Sequence, residues 1–115
     1  MIFWQKSMDL VTQIYRASGN FPKVEFYGLI SQMRRSAVSI PSNIAEGYGR
    51  RSTGDYIRHL QISVGSLYEL QTQLEISKNL GFISELEFDN QYDTTREIER
   101  MLLSLVSKIK SSSSN

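Results

Sequence analysis

Cysteine is absent from the 115-residue chain, which excludes a disulfide framework and every thiolate metal site. A single histidine, His59, cannot build a zinc centre of two or three imidazoles within one subunit. No apolar run approaches the roughly 20 residues that span a bilayer, so no membrane partner is expected. The opening residues, Met1-Ile2-Phe3-Trp4-Gln5-Lys6, have no basic lead, apolar stretch or small-residue cleavage site, and do not read as a signal peptide. A cytoplasmic protein is the expectation. Only two prolines occur, Pro22 and Pro41, and strand-like alternation is scarce, which suits long helices. Net charge is small too: 13 Lys and Arg against 12 Asp and Glu leave +1. That total neither implies nor excludes a nucleic-acid partner, so the distribution of charge must decide. No motif calls for a cofactor or a metal.

What the chain does contain is helical periodicity. Trp4, Met8, Val11 and Tyr15 recur at helical spacing, with Leu10 and Ile14 beside them, and predict a first helix from about Trp4 to Ser18. Gly19-Asn20-Phe21-Pro22 ends it: glycine suits a left-handed cap, and proline cannot continue a helix from behind. A second helix is expected from Glu25 or Phe26 to Tyr48, with Ile30, Met33, Ala37, Ile40, Ile44 and Tyr48 along its apolar face. Pro41 falls inside it, yet the apolar phase survives. One long helix kinked at Pro41 is therefore expected, despite a cost of about 3 kcal/mol in an isolated helix for the missing N–H and the disturbed Ala37 carbonyl.

Ser52 and Asp55 resemble a capping box in its shorter variant. They open a third helix, from about Thr53 to Leu80, with a seam of Ile57, Leu60, Val64, Leu67 and Leu74 widened by Tyr56, Leu70 and Ile76. Gly65 inside this helix costs about 1 kcal/mol relative to alanine and reads as a point where another helix approaches closely. Asn79-Leu80-Gly81-Phe82 closes the helix with a left-handed glycine, and Ser84-Glu85-Leu86-Glu87 is a full capping box. The fourth helix then runs from Glu85 to about Lys110, with Phe88, Tyr92, Thr95, Ile98, Leu102, Leu105 and Ile109 inward. Residues 111–115 are expected to form a frayed, disordered tail. Four amphipathic helices on short connections predict an all-α, up-down antiparallel four-helix bundle, a single domain over residues 1–115. Unequal helix lengths leave apolar surface near one end, a natural oligomer contact.

The most unusual stretch is Ser39-Ile40-Pro41-Ser42-Asn43-Ile44-Ala45-Glu46-Gly47. In helical projection Arg35, Ser39, Ser42, Asn43, Glu46 and Arg50 share one side, and Ile40, Ile44 and Tyr48 share another. The hydroxyls and the amide can bond carbonyls that the kink frees. Glu46 and Arg50 are an i,i+4 pair in the favourable order. Ser39, Pro41, Ser42, Asn43, Glu46 and Gly47 thus read as a structural motif. The longer run from Gln32 to Gly47 resembles the signature of the bacterial four-helix-bundle family associated with 23S rRNA intervening sequences. Trp4-Gln5-Lys6, Phe21-Pro22-Lys23 and Tyr27-Gly28-Leu29 fit it upstream, as do Gly65-Ser66-Leu67, Glu69-Leu70 and Gly81-Phe82-Ile83-Ser84 downstream. The likeness extends from about Phe3 to about Lys110. It implies an up-down four-helix bundle similar to the pentameric accessory protein of diversity-generating retroelements, a basic protein that binds nucleic acid and supports a reverse transcriptase. It brings no catalytic activity with it.

Arg34, Arg35, Arg50, Arg51 and Arg58 cluster in sequence, opposed within that span only by Glu46 and Asp55. Residues 1–59 carry eight basic and four acidic side chains, and the remainder five and eight. The acidic excess sits mostly at Glu85, Glu87, Asp89, Asp93, Glu97 and Glu99, much of it where the dipole of the fourth helix favours carboxylates. Three readings of the arginines stand side by side: a solvated face with helix-to-helix salt bridges, a phosphate-binding surface, and pairing with the acidic fourth helix of another subunit. Arg50 and Arg51, beside glycines, are the best candidates for an anion contact. His59 has only Asp55, at i−4, as an orienting carboxylate and no identifiable serine nucleophile, so no catalytic residue is assigned. Trp4, Tyr27, Tyr48, Tyr56 and Tyr68 read as core or interface residues rather than base-stacking platforms. The expected function is therefore non-enzymatic: a ring-like homo-oligomer, a pentamer by resemblance, that binds RNA or an RNA-handling protein of reverse-transcriptase type through arginines of the second helix and its following loop. The alternatives are a protein-interaction scaffold without nucleic-acid binding and, more remotely, a hydrolase built on His59 and Asp55.

Overall fold

The protein, a computed structural model that describes residues 1–113, is an up-down bundle of α1 (Ile2–Ser18), α2 (Ser31–Tyr48), α3 (Thr53–Asn79) and α4 (Glu85–Ser113). A 3-10 turn, Lys23–Glu25, and a π-helical turn, Phe26–Ile30, lead into α2. Each helix packs on its neighbours in a cycle: α1 on α2, α2 on α3, α3 on α4 and α4 back on α1. The principal axes measure 51 × 24 × 19 Å. At a rise of about 1.5 Å per residue the longest helix, α4, accounts for most of that length.

One apolar cluster runs down the axis, with Leu10 and Ile14 from α1, Met33, Ala37, Ile40 and Ile44 from α2, Leu60, Leu67, Leu70 and Leu74 from α3, and Ile98 and Leu102 from α4. The caps behave as their residue types dictate. Asp55 N–H donates to Ser52 Oγ at 3.0 Å. Ser84 and Glu87 exchange both bonds of the box, Glu87 N–H to Ser84 Oγ at 3.1 Å and Ser84 N–H to Glu87 Oε1 at 3.3 Å. Gly81 is left-handed at φ +75°, and the N–H groups of Gly81 and Phe82 bond the carbonyls of Lys78 and Ser77, which is the Schellman arrangement.

Helix α2 continues through Pro41 without a break, as its unbroken apolar phase predicts. The residue whose dihedrals leave the helical region lies earlier, at Gly28 (φ −111°, ψ −111°), inside the π-helical turn. Other expectations need correction. In α1 the stripe Trp4, Met8, Val11, Tyr15 is not the buried one: Met8 and Tyr15 are exposed, and Ser7, Leu10, Ile14, Ala17 and Ser18 face inward. Apolar counting overlooks serines, but Ser7 and Ser18 return their hydroxyls to the carbonyls of Trp4 and Tyr15 and so enter the core satisfied. Gly19 is right-handed at φ −64°, so α1 ends without a left-handed glycine. Tyr48 points outward, and so does Ile76, expected on the inward seam of α3. Gly65 is approached by no other part of the chain, and a Cβ there would meet nothing within 4 Å. The polar tail is helical as far as Ser113, and the rest of it lies outside the described residues.

Candidate functional site

The serine–asparagine motif of α2 faces α3 and is spent on joining the two helices. Asn43 Nδ2 donates to the Ser39 carbonyl at 2.9 Å and to Ser39 Oγ at 3.1 Å. Ser66 Oγ donates to Ser39 Oγ at 2.8 Å, and Ser63 Oγ to the Ile40 carbonyl at 2.9 Å. His59, buried, sets its Nδ1 3.0 Å from Asn43 Oδ1. Its Nε2 lies 3.3 Å from Arg58 Nη2. Glu46 Oε1 also stands 3.9 Å from Nε2; in the tautomer protonated at Nδ1, Asn43 Oδ1 accepts from that proton and Nε2 accepts from Arg58. The expected bond from Asn43 to a carbonyl near the proline exists, though its acceptor is Ser39 rather than Ala37. Gly47 makes the closest approach: a Cβ on it would lie 2.7 Å from His59 Cβ. Beside this contact, burial and the neighbouring Tyr48 phenol push the Tyr56 phenol above its ordinary value of 10.0. Pro41 is buried, while Ser42 is exposed and stands outside the network.

The same geometry dismantles a His59–Asp55 catalytic pair. His59 is turned to Asn43, and Asp55 lies on the surface with Arg58 3.9 Å away. Among the described residues no group of three or more His, Asp or Glu side chains converges as metal ligands would.

The five arginines separate into different roles. Arg34 is structural: its Nε donates to Ser18 Oγ at 3.0 Å, its Nη2 to the Tyr15 carbonyl at 3.2 Å, and its guanidinium lies 4.5 Å from the centroid of the Tyr15 ring. It secures the last turn of α1 as a further donor to the Tyr15 carbonyl, which also accepts from the Gly19 N–H at 3.1 Å and the Ser18 hydroxyl at 3.4 Å. Arg35 is exposed and makes no salt bridge among the described residues. Arg50 pairs with Glu46 at 2.5 Å, both partners half-exposed. Arg51 is exposed, with no carboxylate in reach among the described residues.

Up-down topology brings the end of α2, the start of α3 and the end of α4 to one end of the bundle. Thr53, close behind Arg51, lines a shallow cavity with Lys108, Ile109 and Ser112. Lys108 thereby joins the end that carries Arg50, Arg51 and Arg58. No local signal marks Lys108; only the fold places it there. The acidic first half of α4 lies at the opposite end, and α4 packs on α1 and α3 rather than on α2, so its carboxylates do not cover the arginines within a protomer. Glu99 is the exception to their exposure. It is buried against α3, accepting from Gln71 Nε2 at 3.0 Å and from the Tyr68 hydroxyl at 3.4 Å.

A second surface feature is a furrow between α1 and α2. One cavity of about 570 Å³ is lined by Tyr15, Phe26, Tyr27, Ile30, Arg35 and Val38 among others. It continues past Val38 into another of about 400 Å³ beside Trp4, Met8, Val11, Pro41 and Ala45. Tyr27 is 92% exposed and Phe26 53%. The α1 stripe of Trp4, Met8, Val11 and Tyr15, of which Trp4 and Val11 also touch the edge of the core, forms one wall of this furrow.

No described helix is long and apolar enough to cross a membrane. No curated protein matches the chain. Its fold is similar to the crystal structure of a protein of unknown function from the S23 ribosomal protein family of Bacteroides thetaiotaomicron VPI-5482. That likeness has a TM-score of 0.82 at 24% identity, over 90% of this chain and 97% of that one. The profile of one sequence family matches residues 1–104, across all of α1, α2 and α3 and most of α4, and the chain accordingly belongs to the 23S rRNA-intervening sequence protein family.

Proposed function

We propose that the protein is a non-catalytic, self-assembling bundle whose basic end binds the phosphate backbone of RNA. The observation that carries this reading is the convergence of Arg50, Arg51, Arg58 and Lys108 on one end of the bundle, away from the acidic half of α4. Arg51 is the strongest contact residue, being exposed and without a carboxylate partner among the described residues. Arg50 and Arg58 must exchange exposed ion pairs with Glu46 and Asp55, and such pairs are worth at most about 1 kcal/mol. Contacts of this kind are sequence-tolerant, because phosphate oxygens carry no base identity. Assembly as a homo-oligomer, a pentamer in keeping with the family resemblance, repeats the basic end and multiplies its avidity. The family's association with 23S rRNA genes agrees with an RNA ligand.

Filter binding of single-stranded RNA at two salt concentrations tests the reading. Four phosphate contacts per protomer give a slope of log affinity against log salt near −3, at about −0.7 per contact. Replacing Arg50 and Arg51 with alanine should flatten it by about 1.4 and weaken all sequences alike. Binding indifferent to both arginines favours the second reading, a protein-interaction scaffold. The apolar furrow between α1 and α2 supports that alternative, with an RNA-handling protein as its partner.

A further inference from the structure

The polar seam between α2 and α3 reaches the basic end through one imidazole. Ser66 Oγ and Asn43 Nδ2 both donate to Ser39 Oγ, and Asn43 Oδ1 lies 3.0 Å from His59 Nδ1. The other ring nitrogen faces away from the seam. His59 Nε2 stands 3.3 Å from Arg58 Nη2 and 3.9 Å from Glu46 Oε1. That carboxylate oxygen is the one Arg50 Nη2 holds at 2.5 Å. A single buried nitrogen thus meets Arg58 directly and Arg50 through its partner. His59 is the only histidine in the chain, and histidine is the side chain whose charge ordinarily changes between about pH 5 and 8.

We infer that His59 positions the arginines of the basic end and switches them with a proton: neutral, it holds Arg58 against the bundle, and protonated, it releases Arg58 and draws Glu46 away from Arg50. The inference rests on the phosphate-binding reading proposed above and adds the group that regulates it. In the neutral ring with its proton on Nδ1, Nε2 accepts from Arg58. A second proton occupies Nε2, removes that acceptor and sets a cation against the guanidinium. Asn43 Oδ1 can accept from Nδ1 in both states, so the change is delivered at Nε2. A buried imidazolium needs an anion, and Glu46 of α2 is the carboxylate that reaches it among the described residues. The other charged groups stand aside. Asp55 of α3 lies by Arg58 Nε, at 3.9 Å. The Tyr56 phenol, raised above 10.0, keeps its proton throughout this range. Lys108 of α4 shares this end, but no ion pair joins α1 or α4 to His59 among the described residues.

The test is filter binding of oligouridylate by the full chain at about pH 5.5 and about pH 8, at one salt concentration. Neither uracil nor the phosphodiester changes charge across that interval. Binding is expected to be about threefold to fivefold tighter per protomer at the lower pH, the worth of one exposed ion pair that no longer has to be exchanged. His59→Gln, whose amide can bond Asn43 and Arg58 but takes up no proton, is expected to bind alike at both. Glu46→Gln, a change on the surface, is expected to bind more tightly than the wild type at the higher pH and to show a smaller step. Equal wild-type affinities at the two pH values, or a step that persists in His59→Gln, would overturn the switch and leave phosphate binding standing. NMR of the single imidazole without RNA reads the coupling independently. Glu46→Gln is expected to move the protonation of His59 to lower pH and Arg58→Gln to higher pH, and a ring indifferent to both overturns the coupling. No RNA binding at either pH overturns the phosphate-binding reading and its regulation together.

Discussion

Gly47→Ala changes one hydrogen for a methyl group at the tightest point between α2 and α3. The new Cβ would lie 2.7 Å from His59 Cβ and 3.1 Å from Tyr56 Cδ1. Carbon atoms rest at about 3.5–4.0 Å, so the helices must part locally by about 1 Å. His59 Cβ is tied to the backbone and cannot swing aside as a side-chain tip would. Parting the helices also lengthens the bonds from His59 to Asn43 and from Ser63 to the Ile40 carbonyl, now 3.0 and 2.9 Å. Overpacking of this kind costs about 1–3 kcal/mol. Alanine returns at most about 1 kcal/mol of helix propensity, and less here, one residue from the end of α2. The net loss is about 1–2 kcal/mol, which for a domain of this size lowers Tm by about 4–8 °C. Thermal melts followed by circular dichroism at a fixed protein concentration read it. Gly54→Ala is the control: a Cβ there meets nothing within 4 Å, and its Tm should hold or rise. A Gly47→Ala protein as stable as the wild type would refute the close packing of α2 on α3.

Three further outcomes follow from the same contacts. Asn43→Leu removes the acceptor of His59 Nδ1 and should cost about 1–3 kcal/mol by leaving a buried donor unpaired; an unchanged urea midpoint would mean that the polar seam contributes nothing. Arg34→Ala should destabilise by about 1–2 kcal/mol through the lost bonds to α1 and the lost Tyr15 contact, while the salt slope of RNA binding stays as in the wild type. The raised Tyr56 phenol gives a pH signature. Its folded form holds the proton more tightly than the unfolded chain, so its contribution is complete below the ordinary value of 10.0 and is lost as pH rises through the higher folded value. Tyr56→Phe should therefore lose less stability than the wild type above pH 10, and parallel alkaline curves for the two would contradict that sign.

Much of the architecture was legible because it rests on local chemistry. Ser84 and Glu87 announce a helix start wherever they sit, and Gly81 a left-handed stop. The inward seams of α3 and α4 were readable because leucine and isoleucine dominate them, apart from Ile76, which was counted with the α3 seam and is exposed. α1 was misread for a physical reason. Two stripes lay side by side, the one with more aromatic area turned outward, and the other was completed by serines that bond their own helix. Gly65 was misread as a site of close approach: a mid-helix glycine suggests one, but nothing in the protomer approaches it. The motif around Asn43 was recognised as structural, yet its partner His59, far along the chain, is brought near only by the antiparallel pairing of α2 and α3. The arginines show the limit of composition most clearly. Five similar residues become a helix anchor at Arg34, a furrow cation at Arg35 and an end patch at Arg50, Arg51 and Arg58. That division depends on which carbonyl or carboxylate happens to stand opposite each one.

The proposed role depends on the basic end acting as one unit built from separate helices. Its most direct test is the salt dependence of RNA binding by Arg51→Ala combined with Lys108→Ala, one residue from the connection after α2 and one from the end of α4. If the fold joins them in one phosphate surface, the slope of log affinity against log salt flattens by about 1.4, two contacts at about −0.7 each, while the mass of the assembly is unchanged. A slope identical to that of the wild type would contradict the account.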